Sequence, residues 1–126
     1  MTEEAKKAVY EITDQIASLS RKRQNARRQQ GQISDRVSLI QARLVVEIAT
    51  ARDHRGKPTY SNQQLRNAVL TLRLHENQEY QGLAKRLSEL DDLDKTLTIE
   101  LKRLADRRAL RMLDIGWENV PSFGSV

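Results

Sequence analysis

Val9, Ile12, Ile16 and Leu19 recur at steps of 3, 4 and 3 along the chain, the spacing of one helical face. The same rule lands on Arg23, Ala26 and Gln30, then on Ile33, Val37, Ile40 and Leu44, with Ile48 and Ala51 beside it. Ile12 to Ile33 is 21 residues, three heptads with nothing inserted. A loop at Gly31 would let that register slip. Its preservation predicts one helix over residues 3–52, on the order of 75 Å long at ~1.5 Å per residue. Gly31 inside it costs about 1 kcal/mol relative to alanine and marks the place for a bend.

The pattern stops at Asp53-His54-Arg55-Gly56-Lys57-Pro58. Glycine accepts positive φ and proline fixes φ, so this pair punctuates a turn. Ser61 followed by Gln64 reads as a capping box, with Tyr60 and Leu65 placed as a hydrophobic staple around it. A turn over 53–60 and a helix from 62 are expected.

Leu65, Val69 and Leu72 open the second stripe, which weakens over His75–Gly82 and returns as Leu83, Leu87, Leu90, Leu97, Leu101 and Leu104. Val69, Leu83, Leu90, Leu97 and Leu104 stand in whole-heptad relation. The second helix is therefore expected over 62–115, either continuous or kinked between His75 and Gly82. Gly116 is its natural end, with Trp117 placed to pack back on Met112 or Leu113. Residues 116–126 read as a short tail. Two long helices joined by a short turn predict an all-α fold, a long antiparallel helical hairpin of coiled-coil type. Leu39, Val45, Val46, Leu70, Leu74, Leu93 and Ile99 lie off the main stripe. One seam leaves such residues exposed, so a homodimer closing into a four-helix bundle is expected.

Composition narrows the function. Of 126 residues, 31% are charged and 4% aromatic, the balance of a long-helix protein rather than a globular enzyme. The absence of cysteine excludes a disulfide framework, a thiolate nucleophile and a cysteine metal site. The longest apolar run, LVVEIA from Leu44, contains a glutamate and is too short to span a bilayer. The first residues lack the apolar core of a secretory signal, which predicts a cytoplasmic protein. His54 sits in the turn, and His75-Glu76 has no second histidine four residues on, so no zinc-protease motif forms. Asp91 and Asp94 share a helix face, but a magnesium site wants substrate phosphates and further ligands. No serine–histidine–acid set or glycine-rich phosphate loop can be built. A non-enzymatic protein without cofactor or metal is expected.

The net charge of +5 permits an acidic partner such as a phosphate backbone. The stretch Arg21–Gly31, RKRQNARRQQG, holds five cations and no acid. In a hairpin turning near Lys57, residues whose numbers sum to about 114 meet. Arg21, Lys22 and Arg23 then face Asp91–Asp94, with Arg23 and Asp94 as a polar pair in the seam that fixes register. Glu3, Glu4 and Glu11 approach the basic run from Lys102 to Arg111. Arg27 and Arg28 fall opposite Lys85 and Arg86 with no acid to answer them. These four, joined by Arg107 and Arg111, form the candidate nucleic-acid-binding set, weighed against a plain solvated face. Arg55 and Lys57 stand at the tip of the turn, where loops often carry function. Trp117 and Phe123 in the tail are candidate partner-binding residues; alternatively Trp117 caps the second helix.

The order of a helix ending EIATARD, a tip HRGKPTYSNQQLRNAV and the stripe YQGLAKRLSELDDLDKTLTIELKRLADRR resembles small helical-hairpin proteins of bacteriophages and prophages. The resemblance covers roughly residues 45–110. Genes of that kind tend to lie near single-strand annealing and single-strand binding genes. The resemblance implies an accessory to DNA recombination, replication or host-defence evasion, and brings no catalytic residues with it. The expected function is DNA binding without sequence preference, to single or double strands. The alternative is a protein–protein adaptor, or an inhibitor of a host enzyme, working through helix faces or the tail.

Overall fold

A computed structural model describes residues 3–116. They are all-helical, in three helices: α1, Glu3–Thr50; α2, Gln63–Glu76; and α3, Gln78–Asp114. α1 opens on Glu3 and Glu4, whose charges complement the positive end of the helix dipole. It runs unbroken through Gly31, as the uninterrupted heptads require. It stops at Thr50, two residues short of the expected end. Arg52 instead pairs with Pro58 in an antiparallel bridge, and the Thr59 N–H donates to the Ala51 carbonyl at 3.0 Å.

The start of α2 corrects the capping-box expectation by one residue. Asn62, with extended backbone, is the N-cap, and its Oδ1 accepts from the Leu65 N–H at 2.8 Å. Asparagine outranks most residues at this position because its short side chain reaches the orphan amides. Tyr60 meets Arg73 of α2. Its hydroxyl accepts from an Arg73 guanidinium nitrogen at 3.2 Å, and the guanidinium carbon lies 5.9 Å from the ring centroid.

The second long helix is two helices. Asn77 leaves helical geometry at φ −79°, ψ 109°. Its N–H donates to the Leu74 carbonyl at 3.2 Å and closes α2. Its Oδ1 accepts from the Tyr80 N–H at 2.8 Å and opens α3. One asparagine thus satisfies orphan groups at both ends of the break. The gap in the stripe over His75–Gly82 is where this happens, and Gly82 itself lies inside α3.

The described chain divides into two compact units. One holds α1 as far as Arg28 together with α3 from Leu90; the other is Gln29–Glu89. In the first, Val9, Ile12 and Ala26 of α1 and Leu90, Leu97, Leu101 and Leu104 of α3 are buried, along with Ile115. Contacts fall in number along one helix as they rise along the other, so the two segments are antiparallel. Arg23 and Arg27 meet Asp94, and Ala8, Glu11, Ile12 and Gln15 share a groove with Arg107 and Arg111. In the second unit only Ile40 and Ile48 are buried hydrophobics, and α2 has no buried residue. That unit is held more by polar ties: Arg36 to Glu79 at 2.7 Å, Arg73 to Glu47 at 3.8 Å, and Arg86 to Gln29 at 3.2 Å.

The simple pairing rule is corrected. It set Asp94 opposite residue 20, whereas Asp94 is held by Arg23 and Arg27. A single pairing constant presumes one unbroken second helix, and Asn77 removes that condition.

Candidate nucleic-acid interface

The six cations singled out from the sequence do not share one environment. Arg27 was expected to be uncompensated. Its Nε instead donates to Asp94 Oδ1 at 3.1 Å, and Arg23 Nε donates to the same oxygen at 3.3 Å. Arg86 was expected to be free as well. It pairs with Glu89 at 3.3 Å and donates to Gln29 Oε1 at 3.2 Å. Arg28 and Lys85 are exposed and make no ion pair among the described residues. Arg107 and Arg111 are exposed one turn apart on α3 and line an open groove of about 450 Å³ with Glu11 and Gln15. Lys85 and Arg86 belong to one unit, and Arg27, Arg28, Arg107 and Arg111 to the other. Trp117 and Phe123 lie outside the described residues.

The expected answer of Arg21 and Lys22 to the acidic run is also corrected. Both are exposed and unpaired among the described residues, and Asp91 pairs along its own helix with Lys95 at 3.1 Å. That hydrogen bond, with the charge of Asp91, holds Lys95 above its ordinary pKa. Only the Arg23–Asp94 pair stands as the sequence suggested, with side chains 23% and 21% exposed.

Sequence reasoning gave the turn less weight than its geometry warrants. The Asp53 N–H donates to the Lys57 carbonyl at 2.8 Å, and the Gly56 N–H to the Asp53 carbonyl at 3.0 Å. Asp53 Oδ1 accepts from the Arg55 N–H at 2.8 Å and from the Lys57 N–H at 3.0 Å. Gly56 has φ +78°, a conformation glycine takes at little cost. One oxygen of the only carboxylate in the turn is thereby held by backbone amides. Arg52, His54, Arg55 and Lys57 are exposed around it. The signal for this was present: no acidic residue occurs between Asp53 and Glu76. Within that span Arg66 lines a small cleft with Val45, Ile48 and Leu70, and its Nε is buried without a hydrogen-bond partner.

Among the described residues no cluster of three or more metal-ligating side chains is present, and no helix is long and apolar enough to cross a membrane. No family model, curated protein or solved structure matches the chain.

Proposed function

We propose that this is a non-enzymatic protein that binds DNA through its phosphates without reading sequence, as an accessory to phage-type recombination or replication in the cytoplasm. The observation behind this reading is the set of exposed cations that make no ion pair among the described residues, although Glu11 lines the groove of Arg107 and Arg111 and Asp53 adjoins Arg52. Arg28, Lys85, Arg107 and Arg111 of the candidate set stay unpaired among the described residues, and so do Arg52, Arg55 and Lys57. Cations of that kind exchange condensed counterions for phosphate contacts, which makes affinity steeply salt-dependent. The test is a mobility shift on single- and double-stranded oligonucleotides at about 50 mM salt, followed by a salt titration. Absence of any shift at that salt rules the reading out.

A second reading is a protein–protein module, and one feature favours it. Leu39, Ala42, Val46 and Ala49 are spaced 3, 4 and 3 on α1, and all are exposed. This stripe lies on the opposite side of α1 from buried Ile40 and Ile48, at 100° per residue. It suits a partner helix, a second copy being the simplest, and closure into a four-helix bundle would cover it. Light scattering across a concentration series reads out that self-association. Recovery of one stoichiometric protein insensitive to nuclease would favour an adaptor or inhibitor.

A further inference from the structure

We infer that the turn Arg52–Pro58 is the anchoring point for DNA, and that it takes the duplex in preference to the single strand. The inference rests on the DNA-binding reading above and assigns its main contact.

Three observations within the second unit carry it. First, the turn is fixed before any ligand arrives. Its two arms are joined by the Arg52–Pro58 bridge and the Thr59-to-Ala51 hydrogen bond. Its tip is locked by two main-chain bonds and by the two amides that Asp53 holds. Cations presented on such a frame lose little conformational freedom on binding. Secondly, the charge of the turn is net positive, three cations against the single carboxylate of Asp53. Arg52, Arg55 and Lys57 lie exposed within six consecutive positions whose only acid, Asp53, turns one oxygen to the backbone amides, and no further acid follows before Glu76. Thirdly, the surroundings offer an unpaired base little to stack on: the exposed ring at the tip is the small imidazole of His54. Tyr60 is the aromatic beside the turn; it is half-buried, its hydroxyl takes a hydrogen bond from Arg73, and the Arg73 guanidinium lies over its ring.

These features select between forms of nucleic acid. Sequence-tolerant single-strand sites combine a cationic track with aromatic platforms worth about 1–3 kcal/mol per base. A site dominated by cations gains most from the form with the denser phosphates, which is the duplex, with a charge every ~1.7 Å of axis. Arg55 and Lys57 at the tip and Arg52 on the arm then meet backbone phosphates.

The test is fluorescence anisotropy of the full chain on a short duplex and on its isolated strand, over a salt series. The wild-type chain is expected to bind the duplex more tightly than the strand. Arg55→Ala with Lys57→Ala is expected to weaken duplex binding at least about tenfold and to lower the salt slope by about 1.8, two phosphate contacts at 0.9 each. Lys7→Ala with Lys102→Ala removes the same charge elsewhere and is expected to stay within about twofold. Gly56→Ala changes no charge, and its added Cβ meets nothing within 4 Å. It strains the positive-φ backbone alone and is expected to weaken binding about fivefold with an unchanged slope. Circular dichroism checks that each variant keeps its helices. The inference is overturned if the tip pair binds duplex as the wild type does, if Gly56→Ala has no effect, or if the isolated strand binds more tightly. In each of those cases DNA is still bound and the broader reading survives. A wild-type chain that binds neither form removes both.

Discussion

Arg27 and Asp94 are joined at 3.1 Å across the first unit, on the carboxylate oxygen that Arg23 reaches at 3.3 Å. Asp94 therefore serves two arginines one helical turn apart, balancing one of their two charges, and its own side chain is only 21% exposed. Removing it as Asp94→Ala leaves Arg23 half-buried without a partner, at an expected cost of about 1–3 kcal/mol. Denaturant unfolding measures it. The double substitution Arg23→Leu with Asp94→Leu is expected to recover most of the loss, because matched apolar side chains often equal a buried ion pair. A double variant as unstable as the single one would show that the pair contributes more than charge balance.

Asn77 is the next point of sensitivity. Asn77→Ala removes the acceptor for the Tyr80 N–H and is expected to cost about 1 kcal/mol. Asn77→Asp keeps the acceptor and is expected to stay near the wild-type midpoint in the same unfolding assay.

The Arg36–Glu79 contact gives a pH dependence with a definite sign. The hydrogen bond from Arg36 holds the Glu79 carboxyl below its ordinary pKa, outweighing desolvation, and the charges of Arg36 and Arg43 add to the lowering. A carboxyl depressed on folding stabilises the fold above its unfolded pKa, and that stability is lost as pH falls through the depressed folded value. The acid side of the stability–pH curve should accordingly be shallower in Glu79→Gln than in the wild type. Thermal melts across the acid range decide it, and curves that superimpose would remove the contact from the account.

Three glycines separate by backbone rather than by space. Gly31 and Gly82 lie within α1 and α3, Gly56 sits at φ +78°, and a Cβ meets nothing within 4 Å at any of them. Gly31→Ala and Gly82→Ala are each expected to stabilise by about 1 kcal/mol through helix propensity. Gly56→Ala is expected to destabilise by about 1–2 kcal/mol because alanine resists positive φ. Melting temperatures that moved in the same direction for all three would contradict this.

Burial separates two leucines in the same way. Leu101 is 1% exposed in the first unit and Leu72 is 60% exposed on α2. Leu101→Ala is expected to cost about 2–5 kcal/mol, and Leu72→Ala to stay within about 0.5 kcal/mol. A comparable loss at Leu72 would point to a second copy covering it.

The helices were legible in the sequence because heptad spacing is a direct record of which side chains share a face. Val9, Ile12, Leu90, Leu97, Leu101 and Leu104 were read as stripe and are buried. The Arg23–Asp94 pair was legible for the same reason, as two polar residues in apolar slots. The division of the second helix was legible only as one of two alternatives, a kink between His75 and Gly82, because spacing alone cannot tell a weak stripe from a cap. Asn77 reads as one more polar residue until its carbonyl and side chain are placed. Arg27 was misjudged because a long guanidinium reaches past its nearest opposite residue, so charge balance follows side-chain length as well as register. The turn was underweighted because Asp53 appears as a neighbouring countercharge in sequence, whereas in space its carboxylate faces the Arg55 and Lys57 amides.

Asn77 also frees the lengths of α2 and α3 from one another. In an uninterrupted helix, each residue gained or lost rotates everything downstream by about 100°, which would carry Leu90 to Leu104 out of their seam. Here α3 takes its start from the Asn77 side chain, and its ties to the last turn of α2 are the bonds that the Asn77 N–H and the Gln81 side chain donate to the Leu74 carbonyl. The helix without buried residues is thus the place where descendants of this sequence can grow or shrink while the leucine stripe beyond Asn77 stays in phase.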